Sequence, residues 1–220
     1  FRSSSQAKQD LMILDLFQDK NDGFFVDLAS NHWQELSNSL SLEHFNNWAG
    51  VCVEPNPQYL AGLLSNRKCA VYTNPVSSTV GETVRFTFAG LYDSVKGLRD
   101  GVVGGIVGAG FDNTEDTSDS VRELVTVTLE RILEHAGDPR VIDHLSLDVE
   151  GAEWHVLKGF PFDRYVFLTI TVERPSKDVH HIVVKHGYRF VSLLANFGDC
   201  LYMYRTFADF SGAMNKHHQS

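Results

Sequence analysis

At 220 residues, 43% apolar and 21% charged, the chain is long enough to bury one α/β core and cramped for two complete domains, so a single domain over 1–220 is expected. Its formal charge of −9, with Lys and Arg scattered rather than striped, lacks the basic footprint of a nucleic-acid partner. No apolar run reaches the roughly 18–20 residues that cross a bilayer, and Phe1-Arg2-Ser3-Ser4-Ser5 does not have the form of a signal peptide.

In chain order, an amphipathic helix is expected first, over about 6–17, with apolar Leu11, Met12, Leu14, Leu16 and Phe17 on its inner side. A Lys20-Asn21-Asp22-Gly23 turn closes this N-terminal segment (1–22), which is expected to cover the ligand edge of a sheet. A strand follows at 24–28, a helix near 35–45, a strand at 51–54, and then Pro55-Asn56-Pro57 opens a helix to about 65. Strand alternating with helix is the rhythm of a doubly wound parallel sheet. A third strand fits 68–72. In the next one, Val84, Phe86 and Phe88 alternate with Arg85 and Thr87.

The stretch 90–120 carries seven glycines and an acidic, Ser- and Thr-rich end, and reads as a Gly-rich lid loop facing the substrate. Regular structure resumes with a strand near 124–127, a helix at 129–136 stopped by Gly137, and a strand ending at Asp148. A helix at 152–158, a strand at 166–172 ending in Glu173, and a helix after Pro175 complete the parallel part. Strands at 189–194 and 200–204, joined by an Asn- and Gly-containing turn, read as an antiparallel hairpin, and 207–220 as a tail.

Cys52, Cys69 and Cys200 lie in predicted strands, show no C-x-x-C spacing and are odd in number, so buried free thiols are expected rather than a disulfide framework or zinc site. Among ten histidines, the adjacent pairs His180-His181 and His217-His218 cannot share a ligand face on a helix, and His155 reads as a surface or packing residue. No protein metal site is assigned.

The carboxylates carry the chemistry. Phe24-Phe25-Val26-Asp27, Val51-Cys52-Val53-Glu54 and Leu145-Ser146-Leu147-Asp148-Val149-Glu150 each deliver acids to the C-terminal end of a buried strand, the edge where open parallel sheets bind ligands. An acid at the end of the second strand, 27 residues beyond Asp27, is the usual device for holding a ribose diol. The absence of G-x-G-x-x-G after the first strand argues against a nicotinamide oxidoreductase, and no radical-type cysteine triad is present.

The ordered segments Ser5-Gln6 with Gln9-Asp10, Gly23 to Asp27, Ser37-Asn38, Leu42-Glu43, Gly50 to Pro57, Asn66 to Cys69 and Ile142 to Glu153 resemble the FkbM family of S-adenosylmethionine-dependent methyltransferases. The resemblance implies a Rossmann-like class I fold, with a mostly parallel seven-stranded sheet and a C-terminal antiparallel hairpin. It also implies methyl transfer, most simply to a hydroxyl of a small molecule or sugar. It places Gln6, Gln9, Asp27, Ala29, Ser30, Asn31, Glu54, Pro55, Asn56 and Asp148 around the cofactor, and makes Glu150 or Asp148 the base, with His32 and Glu173 behind them. Glu153 is expected to serve a helix N-terminus instead. A divalent cation shared by the acids is an option that the residues do not favour.

The family's first turn reads Asp-x-Gly-Ala-Asn-x-Gly, whereas this chain has Asp27-Leu28-Ala29-Ser30-Asn31-His32-Trp33. Glycine there tolerates positive φ and lets the backbone approach a ligand. Either the loop is rebuilt, with His32 or Trp33 covering the cofactor or shaping the acceptor pocket, or cofactor binding is weakened. A non-catalytic FkbM-like binding module is therefore the alternative. Oligomeric state is left open, and the compartment also, with the cytoplasm as the default.

Overall fold

The structure, a computed structural model, describes residues 3–88, 104–108, 121–196 and 198–207. Along the chain run α1 (Gln9–Leu16), β1 (Phe24–Leu28), α2 (Leu40–Asn46), β2 (Ala49–Val53), α3 (Pro57–Asn66), β3 (Ala70–Tyr72), β4 (Thr83–Thr87) and β5 (Gly105–Val107). Then come β6 (Val121–Val125), α4 (Leu129–His135), β7 (Val141–Leu147), α5 (Glu153–Leu157), β8 (Val166–Val172), α6 (Lys177–Lys185), β9 (Tyr188–Leu193) and β10 (Cys200–Tyr204). Seven strands form one sheet in the order β3-β2-β1-β7-β8-β10-β9. It is parallel up to β8 and closed by the antiparallel β9–β10 hairpin. This is the Rossmann-like, seven-stranded arrangement that the FkbM resemblance implied.

Alternation along each strand sorts side chains to two faces. Val26, Leu28, Val51, Val53, Leu145 and Ile170 pack with Leu129, Ile132, Leu133, Val179 and Val183 of α4 and α6. On the other face Phe25 and Cys52 meet Ile13 and Leu14 of α1, Leu42 of α2 and Trp48. Helix starts follow local chemistry: Asn56, Thr128 and Ser176 accept backbone N–H bonds at the N-termini of α3, α4 and α6.

Two expectations change here. The first helix lies on the flank of the sheet beside α2 rather than over the ligand edge, because Ile13, Leu14 and Phe17 are buried in that core. Only its start reaches the edge, where Gln9 Nε2 donates to Asp199 Oδ2 at 2.7 Å. The helix expected at 35–45 begins only at Leu40, since Ser37 and Ser39 turn their hydroxyls to a buried guanidinium. The lid-loop expectation over 90–120 falls largely outside the described residues, as do 208–220 of the tail. The described part of that loop carries β5, which joins β4 and β6 in a separate three-stranded antiparallel sheet. Val84, Phe86 and Ile106 of this small sheet pack on Ala152 and Val149, just beyond β7.

The third change concerns sulfur. Cys52 and Cys69 form a disulfide, whereas Cys200 is a buried free thiol as expected. With Ala70 paired to Val51, Cys69 and Cys52 both point to the opposite face of adjacent strands, a proximity invisible in a 17-residue separation. Thiol titration of the unfolded, unreduced chain should find one free cysteine, rising to three after reduction. Cys69→Ser should cost about 3 kcal/mol on the loop-closure account, read as a lower melting temperature.

Candidate functional site

The acids of β1 and β2 sit at the sheet's C-terminal edge but face different partners. Asp27 is buried beneath the first turn, where Ser39 donates to its Oδ2. Burial pushes its carboxyl above the usual range, with Ser39 and the Arg67 charge opposing. Glu54 is held by two backbone N–H groups, from Asn56 to Oε1 at 2.7 Å and from Asn31 to Oε2 at 2.8 Å. Each oxygen keeps a lone pair for a further donor. Burial pushes this carboxyl up to about 7, against the pull of those two donors.

The turn between them keeps the shape that glycine would give. Ala29 stands at φ 62 and Asn31 at φ 58, in the left-handed region that side chains enter at a cost. Ser30 N–H bonds to Val53 O at 3.0 Å and its hydroxyl to Asp27 O at 2.8 Å, so Ser30 fastens the turn to both strands. Trp33 is seated against α3: a Cβ on Gly62 would lie 2.8 Å from Trp33 Cδ1. His32 Nδ1 accepts N–H bonds from Glu35 at 3.0 Å and Gln34 at 3.3 Å, and its ring lies near Trp33 and Tyr59. That nitrogen is committed to the backbone, and the ring belongs to the α3 side. Asn56 Oδ1 caps α3, while Gln6 is exposed.

An apolar cavity opens beside this turn, lined among others by Ala29, Val53, Pro55, Phe86, Ile106 and Val149. Its wall thus combines the β1 and β2 ends, the small sheet, and the residue between Asp148 and Glu150.

Those two acids and Glu173 converge. One carboxylate oxygen from each of Asp148, Glu150 and Glu173 lies within 4.8 Å of the others. Glu150 stands at φ 52, followed by Gly151 at φ 90, which turns the chain sharply and brings Glu150 back to the edge. Glu153, the first residue of α5, folds over that turn, accepting N–H bonds from Val149 at 3.1 Å and Gly151 at 3.2 Å rather than capping the helix itself. Arg174 Nη2 reaches Glu173 at 2.7 Å and Glu150 at 3.2 Å. Burial and the neighbouring Glu173 push the Asp148 carboxyl well up. Burial, then repulsion from Glu173, push Glu150 up to about 7, with Arg174 opposing.

Asp199 and Arg174 escape a reading by strand-end acids. Asp199 lies in the hairpin turn, yet β10 runs antiparallel to β8 and starts at the ligand edge. A hairpin order of β8-β10-β9 would have exposed it.

The family model described as the methyltransferase FkbM domain matches residues 19–190. The chain belongs to the FkbM methyltransferase family. A methyltransferase from Pyrococcus furiosus is similar over 91% of this chain and 83% of its own, at 12% identity and a TM-score of 0.42. A precorrin-6y C5,15-methyltransferase from Geobacter metallireducens GS-15 is similar over 92% and 91%, with the same identity and score. Neither likeness bears on substrate. Curated proteins yield no significant match.

FkbM motif residues away from the edge build a buried network. Arg67, with a fully buried side chain, pairs with Glu43 at 3.3 Å and donates to Ser37 and Ser39. Glu43 also accepts the N–H groups of Lys68 and Cys69. Arg67→Ala should cost about 3–5 kcal/mol by leaving the Glu43 carboxylate uncompensated. The measurement is denaturant unfolding, and Arg67→Lys should recover only part of the loss.

Proposed function

We propose that this FkbM protein is an S-adenosylmethionine-dependent methyltransferase acting on a hydroxyl oxygen of a small molecule or sugar. The observation that carries the reading is Glu54, a buried carboxylate with spare lone pairs whose chain neighbours Val53 and Pro55 line an apolar cavity. That donor set fits a nucleoside: two ribose hydroxyls donate to Glu54, and the apolar wall takes the flat base. Ala29 in the left-handed region supports close approach of the turn to the ligand.

S-adenosylmethionine, when bound, supplies an electrophilic methyl group on a sulfonium. The protein's part is to align the acceptor and take its proton. Glu150 suits the second task because its carboxyl is pushed up to about 7, near the pH at which a base is needed. Asp148 and Glu173 stand beside it as orienting acids. His32, tied to backbone N–H groups, is the weaker candidate. The non-catalytic module loses its main support, since the bulk of Trp33 is absorbed by Gly62 of α3.

Calorimetric titration with S-adenosylmethionine should show micromolar binding, and absence of binding to a folded sample would overturn the reading. Glu54→Ala should weaken affinity by the ~1.5–3 kcal/mol of a charged hydrogen bond, roughly 10- to 150-fold. Affinity of the wild type should rise between pH 6 and pH 8, because ionised Glu54, titrating at about 7, accepts from both hydroxyls and its protonated form does not. Glu54→Gln should flatten that profile. In turnover assays on hydroxylated acceptors, Glu150→Gln should depress kcat while leaving cofactor affinity unchanged.

A further inference from the structure

We infer that Asp148, Glu150 and Glu173 form a binding site for one divalent hard cation, held at the ends of β7 and β8 beside the apolar cavity. The inference rests on the O-methyltransferase reading and names what would ready the acceptor. One oxygen from each residue lies within 4.8 Å of the other two, the separation that oxygens reach across a single ion whose ligand distances are about 2.1–2.5 Å.

A cluster of acids alone would be ordinary. Here, however, three buried side-chain oxygens lack a hydrogen-bond partner among the described residues, and two of them are Asp148 Oδ1 and Asp199 Oδ1. Asp199 is only 7% exposed; its charge acts on Asp148, and that of Glu173 acts on it. Buried carboxylate oxygens without donors are costly, and their natural complement is a cation. Among the described residues Arg174 bonds Glu150 and Glu173 but makes no hydrogen bond to those two oxygens. Its side chain is 60% exposed, so it can swing to solvent when an ion takes its place.

Three carboxylates leave the remaining coordination positions to water and to an acceptor oxygen. A hydroxyl bound there gives up its proton more readily, and the proton passes to the oxygen of Glu150 that does not ligate the ion. The acceptor class is thus an oxygen nucleophile able to ligate a hard cation, such as one of two vicinal hydroxyls.

The test is titration of the purified chain with manganese chloride, followed by calorimetry and by electron paramagnetic resonance of the free ion, with S-adenosylmethionine affinity measured on the same samples. One Mn²⁺ should bind per chain. An outer-shell partner alone is worth about 10- to 100-fold in metal affinity, so Asp148→Asn and Glu173→Gln should each lose at least about 100-fold. Arg174→Gln, altering a mostly exposed side chain, should bind the ion more tightly, and it keeps the test open if the buried variants fail to fold. No uptake by the folded wild type would overturn the site while intact cofactor binding left the methyltransferase reading standing. Unchanged uptake in Asp148→Asn and Glu173→Gln, or uptake unchanged or weakened in Arg174→Gln, would equally overturn it.

Discussion

A guanidinium with no exposed side-chain surface must have every charge and donor answered from within the protein, and Arg67 imposes that condition on the whole first half of the fold. Glu43 answers its charge, Ser37 and Ser39 its outer nitrogens. Ser39 in turn serves Asp27 under the first turn. Glu43 spends its remaining capacity on the N–H groups of Lys68 and Cys69, which fixes where β3 begins. One buried cation therefore sets the start of α2, the entry to β3 and the floor of the ligand edge. Motif residues that touch no ligand are explained by that floor.

Above it, the edge is divided electrostatically. On the β1 and β2 side, two carboxylates are separately satisfied, Asp27 by a hydroxyl and Glu54 by backbone N–H groups. On the β7 and β8 side, acids crowd together with one arginine among them. The apolar cavity is lined from both halves, by Ala29, Val53 and Pro55 on one side and by Val149, between Asp148 and Glu150, on the other. An apolar surface flanked on one side by a separately held carboxylate and on the other by a crowded acid cluster is the arrangement on which the proposed alignment of two reactants rests.

The succession of strands and helices along the chain and the acids at strand ends were legible in the sequence because both depend on local signals: short apolar runs followed by a carboxylate. Glu153 was legible for the same reason, as an acid at a helix start. What escaped depends on contacts between distant segments. The disulfide follows from strand register, and Asp199 reaches the site only because β10 inserts between β8 and β9. Gly105–Val107 forms a strand amid glycines because β4 offers it a partner. The late start of α2 likewise reflects Arg67 outcompeting helix propensity for Ser37 and Ser39.

The Cys52–Cys69 bond lies two residues before Glu54 and one before β3, so it staples the strand that presents the Glu54 carboxylate to its outer neighbour. Such bonds persist in oxidising compartments and are rarely maintained against cytosolic glutathione and thioredoxin. This weighs against the cytoplasmic default. It also means that the chain made in a reducing host and the chain made under oxidative folding are two chemically distinct materials, of which only the second carries the staple beside its ligand edge.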